Sequence, residues 1–313
     1  SGGPVGTPLN TLPYYKVAFE NLTRTVGCWS SSNRLGCLRS ISSTQLFQSN
    51  YTIVWNPIVD GTFLTAYPGQ LAANGTFVHV PLLDGANSDE GVSFSTKGLN
   101  NATAIFDNLL YWRDYSLSPP SIRRLLDLYP NIPAEEPPYR DQTNETFPKY
   151  GLQWRRSAAI GGDLVMIAQR RKTCEEFVAG GVRNVYSYRF DTPLWNASAP
   201  VSVPHFVNVV FSFQNISGAL GPLPAYQAYK DLSVSIGRAY ASFVHSHQPN
   251  GARAGSGAYG AGGNVTGLPT WPRYELGAPK NMVLNANGSF VEDDTFRREG
   301  IAFINSITRE LLA

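Results

Sequence analysis

The stretch from Val80 to Gly91 climbs through an apolar run into a tight polar turn and leaves one carboxylate, Glu90, at its tip. The β-branched and apolar residues of Thr76 to Leu83 predict a buried strand ending at Asp84-Gly85. A strand that ends on such a turn can hold an acid rigidly beneath a histidine and so orient a base. A suitable imidazole, His205, follows 115 positions later, within the apolar stretch Val203 to Phe213.

The rest of the chain alternates helical and extended patterns. Helical spacing runs through Thr11 to Val26, and a second helix is expected from Asn33 to Phe47. Thr52 to Leu64 reads as extended and turn-rich, and Thr96 to Trp112 and Ser121 to Tyr129 as short helices punctuated by Pro119-Pro120 and Pro137-Pro138. Residues 148–179 predict a longer helical region interrupted at Gly161-Gly162, followed by the alternating strand Val185 to Phe190. Ala225, Tyr229, Leu232, Ile236, Tyr240 and Phe243 mark one face of an amphipathic helix, and the last helix opens near Asp294 with Phe296, Ile301, Ile304 and Ile307 inward. Strands separated by helices imply an α/β architecture, a sheet sandwiched between helical layers.

Charged residues make up only 15% of the 313 positions, the formal net charge is +2, and no block of like charge occurs. That argues against nucleic acid or an anionic membrane as a partner. The longest apolar runs, such as Phe206 to Phe213, are far too short to span a bilayer. The sequence holds nine Asn-x-Ser/Thr sites, at Asn21, Asn50, Asn74, Asn101, Asn144, Asn196, Asn215, Asn264 and Asn287, which points to the secretory pathway. The cysteines fit that compartment: Cys28 and Cys37 would close a short loop worth about 2.5–3 kcal/mol by chain entropy. Cys174 is either a buried free thiol or the partner of a cysteine on other sequence. The chain begins Ser1-Gly-Gly-Pro4, with no initiator Met or signal peptide, as a piece starting partway through a protein would.

Each candidate has a plain alternative. An Asp-Glu-Gly turn is most often a solvated bend. A histidine in apolar surroundings such as His205 is most often a hydrogen-bonded core residue. His79 falls inside the expected strand, and His245 and His247 lie two apart at a helix end, on different faces, which argues against a shared metal. Gly255 to Gly260 matches GxGxxG, yet it follows a helix and lies in a Gly/Ala-rich loop that runs into the Asn264 site, so a dinucleotide role is rejected. The sequence contains no P-loop, paired-cysteine zinc site, acidic calcium loop, Gly-x-Ser-x-Gly elbow or His-Gly-Gly oxyanion loop.

Together these segments resemble the type-B carboxylesterase/lipase family, the cholinesterase-like branch of the α/β-hydrolases. Ser1 to Gly6 resembles the segment after that family's serine elbow, and Gly27-Cys28-Trp29 with Gly36-Cys37-Leu38 its short disulfide loop. Asn56 to Leu64 is similar to its proline–Asp–Gly turn and Val80 to Gly91 to its acid-bearing segment. Val185 to Phe190 resembles the strand before the histidine, Val203 to Phe213 the histidine loop, and Thr270 to Tyr274 the Trp-Pro-x-Tyr signature. The loop style and many sequons resemble fungal secreted members.

The resemblance implies the C-terminal part of an α/β-hydrolase fold over residues 1–313, with a mostly parallel central sheet flanked by helices. It implies ester hydrolysis by a Ser-His-Glu triad in which this chain supplies Glu90 and His205, with no cofactor and no metal. The serine and the oxyanion hole would come from an N-terminal portion of the same enzyme, which is the expected partner, and the substrate would be a small-molecule or lipid ester. Phe94, Tyr51 and Ile53 resemble acyl-pocket positions, with ordinary core aromatics and aliphatics as the alternative. Where many relatives carry an acid just after the histidine, this chain has Asn208. The rival reading from a different class is a cholinesterase-like domain without catalysis that serves as an adhesion or binding module.

Overall fold

A computed structural model describes residues 8–49, 51, 56–195, 197–198, 200–215, 226–251 and 266–311. The described order opens with α1 (Leu12–Thr25), α2 (Arg34–Ser40), α3 (Ser43–Gln48) and α4 (Pro68–Ala73). Strand β1 (Leu82–Asn87) leads into the short helix α5 (Gly91–Phe94), then α6 (Ala102–Leu109) and α7 (Pro119–Leu128). A long helical run follows, in which α8 (Trp154–Gly162) passes through a π-helical turn at Asp163–Ile167 into α9 (Ala168–Ala179). Then come β2 (Val185–Phe190), α10 (Val209–Ser212), α11 (Gln227–Ser246), the hairpin of β3 (Lys280–Leu284) and β4 (Phe290–Asp293), and α12 (Arg298–Ser306).

The strands form one sheet in the order β1-β2-β3-β4, parallel up to β3, with β4 antiparallel at the end. Its two faces have opposite chemistry. One packs Tyr186, Tyr188, Phe190, Met282 and Leu284 against Val207, Phe211, Leu232, Ile236 and Trp271, so α10 and α11 cover it with apolar surface. Gly85 is glycine because the Tyr188 ring lies on it; an ideal Cβ there would stand 2.3 Å from a ring carbon. A second apolar cluster lies among the helices, where Ile105, Leu109, Ile122, Leu125, Ile160, Leu164, Ile301 and Ile304 interlock.

The face toward α9 is polar and still buried. Arg170 binds Asp294 through its two terminal guanidinium nitrogens and reaches Ser187 Oγ at 2.9 Å. Arg171 (2.8 Å), the Tyr274 hydroxyl (2.7 Å) and Asn281 Nδ2 (3.1 Å) also donate to Asp294. Burial opposes the charge on Asp294, but the two guanidiniums hold its carboxyl well below the usual range. The Trp-Pro-x-Tyr segment is fastened along the β2 backbone: Trp271 Nε1 donates to Ser187 O at 2.9 Å, and Tyr274 N to Val185 O at 2.8 Å.

Several elements differ from expectation. The expected helix from Asn33 to Phe47 is two helices, because Ile41 is extended (φ −73°, ψ 136°) and Ser42 caps a fresh start by accepting Gln45 N. The strand expected at Thr76 to Leu83 begins only at Leu82, where its ladder partner Val185 begins, and runs on through Asp84-Gly85. Val78 and Val80 are exposed before it, and so is His79, which therefore does not lie in a strand. Gly161-Gly162 does not interrupt the helical run, which passes through them into the π turn. The final helix starts at Arg298 rather than near Asp294, and the β3–β4 hairpin before it was not anticipated.

Asp84 pairs in register with Ser187 and is 5% exposed. Its Oδ1 accepts the Gly85 amide at 2.8 Å, whereas Oδ2 is buried without a hydrogen-bond partner among the described residues. Burial pushes its pKa up to about 6. Since the folded value exceeds the unfolded one, the folded state keeps this proton longer, and its contribution to stability falls as pH rises from about 4 to about 6. We expect Asp84→Asn to gain melting temperature relative to the parent between pH 4 and pH 7. Thermal melts across that range check it; a parent–variant difference that is flat with pH contradicts it.

Candidate active site

The acid turn is built by the end of β1. Ser88 N extends the ladder to Phe190 O (3.0 Å), and Asp89 N then bonds Val203 O at 3.0 Å, so the strand's last amides already touch the histidine loop. Glu90 takes helical angles (φ −48°, ψ −43°) and starts α5. Gly91 allows this turn to lie directly on α8, since a Cβ on it would stand 1.7 Å from Ala158 O. Glu90 is fully buried. Its Oε1 accepts the Asn87 amide at 2.7 Å, and its Oε2 lies 2.7 Å from His205 Nδ1. A carboxylate there can only accept, so the Nδ1 edge carries the proton and the Nε2 edge points away from Glu90. The His205 side chain is 34% exposed.

Asp89 performs a different task from its neighbour. Its Oδ1 accepts Tyr139 N at 2.9 Å and its Oδ2 accepts Val203 N at 3.0 Å. Burial pushes its pKa up to about 6, against the pull of those two amides. Asn87 adds a third tie, donating from Nδ2 to Pro204 O at 2.7 Å. Tyr139 is presented by a loop folded around Arg155, whose guanidinium reaches the carbonyls of Glu136 (2.9 Å), Asp141 (2.6 Å), Thr143 (3.2 Å) and Glu145 (2.9 Å). Asn87, Asp89 and Arg155 escaped the sequence reading. The only hint was Asp89 beside Glu90, since a buried arginine in a helix has no local signature.

The histidine loop is bent on both sides of His205: Ser202 (φ 42°) and Phe206 (φ 76°) occupy the left-handed region, unusual for residues with side chains. The Phe94 ring lies 4.9 Å from the imidazole at 49°, so this expected pocket residue stands beside His205. Tyr51 is half-buried, with no ring contact or hydrogen bond to Glu90 or His205 among the described interactions, and Ile53 lies outside the described residues. Asn208 is buried with its Oδ1 unpartnered among the described residues.

Cys28 and Cys37 form a disulfide with Cα atoms 5.7 Å apart, and Cys174 is a buried thiol bonded to neither. Burial raises its pKa above the ordinary thiol range. Among the sequon asparagines, Asn21, Asn74, Asn101, Asn144 and Asn287 are exposed and Asn215 is half-buried; Asn50, Asn196 and Asn264 lie outside the described residues, as do Ala225 and the Gly255 to Gly260 loop. No cluster of three or more metal-binding side chains occurs among the described residues, nor any helix long and apolar enough to cross a membrane. A cavity of about 470 Å³ lies behind the acid turn, lined by Ser88, Arg140, Arg189, Asp191 and Arg297 among others, but not by Glu90, His205 or Phe94.

A parallel sheet delivering a buried glutamate to a half-exposed histidine is the arrangement of an α/β-hydrolase. A profile of the Carboxylesterase family matches residues 1–303, and the chain belongs to that family. It is 29% identical over 314 aligned positions to "Secreted lipase 1" of Botryotinia fuckeliana, covering 93% of this chain and 48% of that protein. It is 25% identical to "Lipase 4" of Diutina rugosa, covering 92% of this chain and 49% of the relative. The fold matches the crystal structure of Aspergillus niger EstA with a TM-score of 0.77 at 18% identity, over 100% of this chain and 58% of that one. The chain thus spans about half the length of the relatives it matches.

Gly91→Ala places a methyl group inside a backbone carbonyl's radius and must push α5 off α8. We expect a loss of about 2–3 kcal/mol in urea unfolding, with Gly91→Ser at least as costly. A fully stable Gly91→Ala protein contradicts the packing described.

Proposed function

We propose that this chain supplies the acid and the base of a Ser-His-Glu triad in a carboxylic ester hydrolase. The serine and the oxyanion donors would come from an N-terminal portion of the same enzyme. One observation carries this reading: the 2.7 Å contact between His205 Nδ1 and the fully buried Glu90. The ties between the acid segment and the histidine loop hold the two in this register, and the reading is supported by relatives named as lipases.

In the proposed reaction the serine hydroxyl attacks the ester carbonyl while His205 Nε2 takes its proton. Glu90 holds the imidazole in the Nδ1–H tautomer and stabilises the imidazolium as it forms. The proton then passes to the departing alkoxide, and the resulting acyl-enzyme is hydrolysed by water activated at the same nitrogen. Phe94, packed on the ring, would limit its rotation and form part of the acyl wall. The substrate class is a small-molecule or lipid ester. Secretion is supported by the disulfide, the sequons and the relatives named as secreted lipases. The hydrogen-bonded pairing of acid and base favours this reading over a non-catalytic adhesion module.

The test is hydrolysis of p-nitrophenyl esters of increasing acyl length by the full-length protein. His205→Ala and Glu90→Gln are each expected to lower kcat by about 10³–10⁴ with melting curves close to the parent's. A fluorophosphonate probe should label one upstream serine in the parent and far more slowly in either variant. Hydrolysis undiminished in His205→Ala, or no hydrolysis by the intact parent, overturns the proposal.

A further inference from the structure

Trp195 and Tyr226 meet edge to face with ring centroids 4.5 Å apart, yet they remain 54% and 44% exposed. Behind them Tyr229 is 6.0 Å from Tyr226 and 5.4 Å from the buried Phe211, and its hydroxyl donates to Pro193 O at 2.9 Å. The aromatic shelf is therefore anchored to the sheet core. It forms one wall of a groove of about 350 Å³ whose other wall is the β3–β4 turn, at Ala286 and Asn287. Rigid aromatic faces lining an open groove are the kind of exposed apolar surface that marks a binding site.

The turn identifies the occupant. Asn287-Gly288-Ser289 is an acceptor sequence for N-linked sugar. Asn285 organises the turn: its Oδ1 accepts Asn287 N at 2.9 Å, its carbonyl accepts Gly288 N at 3.0 Å, and its own amide donates to Ser289 Oγ at 3.2 Å. Gly288 takes φ 132°, a value closed to most side chains. The Asn287 side chain is left exposed on the groove wall.

We propose that Asn287 carries an N-linked glycan whose first N-acetylglucosamine units lie in this groove against Trp195 and Tyr226. The inference rests on secretion as proposed above. In the secretory pathway the Asn287 Nδ2 would displace pyrophosphate from the anomeric carbon of a lipid-linked oligosaccharide, forming the C–N bond and releasing one proton as the lipid pyrophosphate departs. The C–H face of a pyranose is weakly positive and meets the negative face of an aromatic ring, while its hydroxyls stay at the wet rim. A groove of this size lies at the small end of ligand sites, suited to one or two sugar units. Asn196 is adjacent to Trp195 in sequence, but Asn287 is the acceptor that lines the groove among the described residues.

The test uses the full-length protein secreted from a yeast host. Peptide mapping after deglycosylation in ¹⁸O water reports occupancy at each sequon. Release by peptide-N-glycosidase F from the native protein, an enzyme that must reach the first sugar, reports shielding. Asn287 should be occupied and released about tenfold more slowly than the glycans on exposed Asn21 and Asn144, the effect of one stacking contact. Trp195→Ala or Tyr226→Ala should abolish the protection, whereas Trp195→Phe and Asn196→Gln should keep it. An empty Asn287 beside other occupied sequons overturns the inference and leaves secretion standing. Equal release rates in the parent and both alanine variants, or protection lost in Asn196→Gln, overturn it as well.

Discussion

Two backbone segments more than a hundred positions apart are locked together at Asp89. Its amide gives a hydrogen bond to Val203 O, and its carboxylate takes one back from Val203 N. This reciprocal pair fixes both the direction and the register of the histidine loop against the end of β1. Glu90 then needs no further search to find His205, because the neighbouring residue has already set the separation. A net hydrogen bond contributes only about 1 kcal/mol, but an unmade one at a buried carboxylate costs considerably more. The turn is therefore strongly biased toward the arrangement in which the Asn87, Ser88 and Asp89 amides are all met.

Buried arginines extend the same logic outward. Arg155 gathers four carbonyls and so shapes the loop that offers Tyr139 N to Asp89. Arg170 and Arg171 close on Asp294 beneath the sheet, and Arg297 closes on Asp163 through two bonds of 2.7 Å each. Charges taken out of water recover their desolvation cost only when geometry is good, so such pairs stabilise little compared with apolar packing of equal volume. Their contribution here is positional: a planar guanidinium with several donors orders irregular chain that has no ladder of its own. The loop around Arg155 behind the acid turn is irregular in this sense, while the sheet face toward α11 is simply apolar.

What could be read from the sequence follows this division. Val185–Phe190 and the face of α11 were legible because their apolar periodicity reflects the apolar side of the sheet. Glu90 and His205 were legible as a pair through the resemblance of their flanking segments to one family, since neither residue carries a local signature. β1 was misplaced because Asp84 and Gly85 look like a turn; within the fold one faces the polar side and the other lies under Tyr188. The β3–β4 hairpin was missed because Asn281 and Glu292 break its apolar alternation, and both make polar bonds, one to Ser187 and one to Arg189. Periodicity reports burial in an apolar setting, and it fails where the buried surface is polar.

Asp89 and Glu90 also show how two adjacent carboxylates acquire separate roles without differing in burial. Asp89 meets two amides of fixed backbone, so its bonds hold chain in place. Glu90 meets one fixed amide through Oε1 and one imidazole through Oε2. The fixed amide prevents the carboxylate from turning, and the imidazole is the one partner that can gain a second proton while keeping the contact. A carboxylate that is immobile on one oxygen and faces a titratable ring on the other can stabilise a charge that appears and disappears. Ser202 and Phe206, both in the left-handed region, bend the loop on either side of the ring, whose side chain is 34% exposed. Strain in the loop is affordable because the Asp89 lock and the Asn87 tie hold its start from the side of β1.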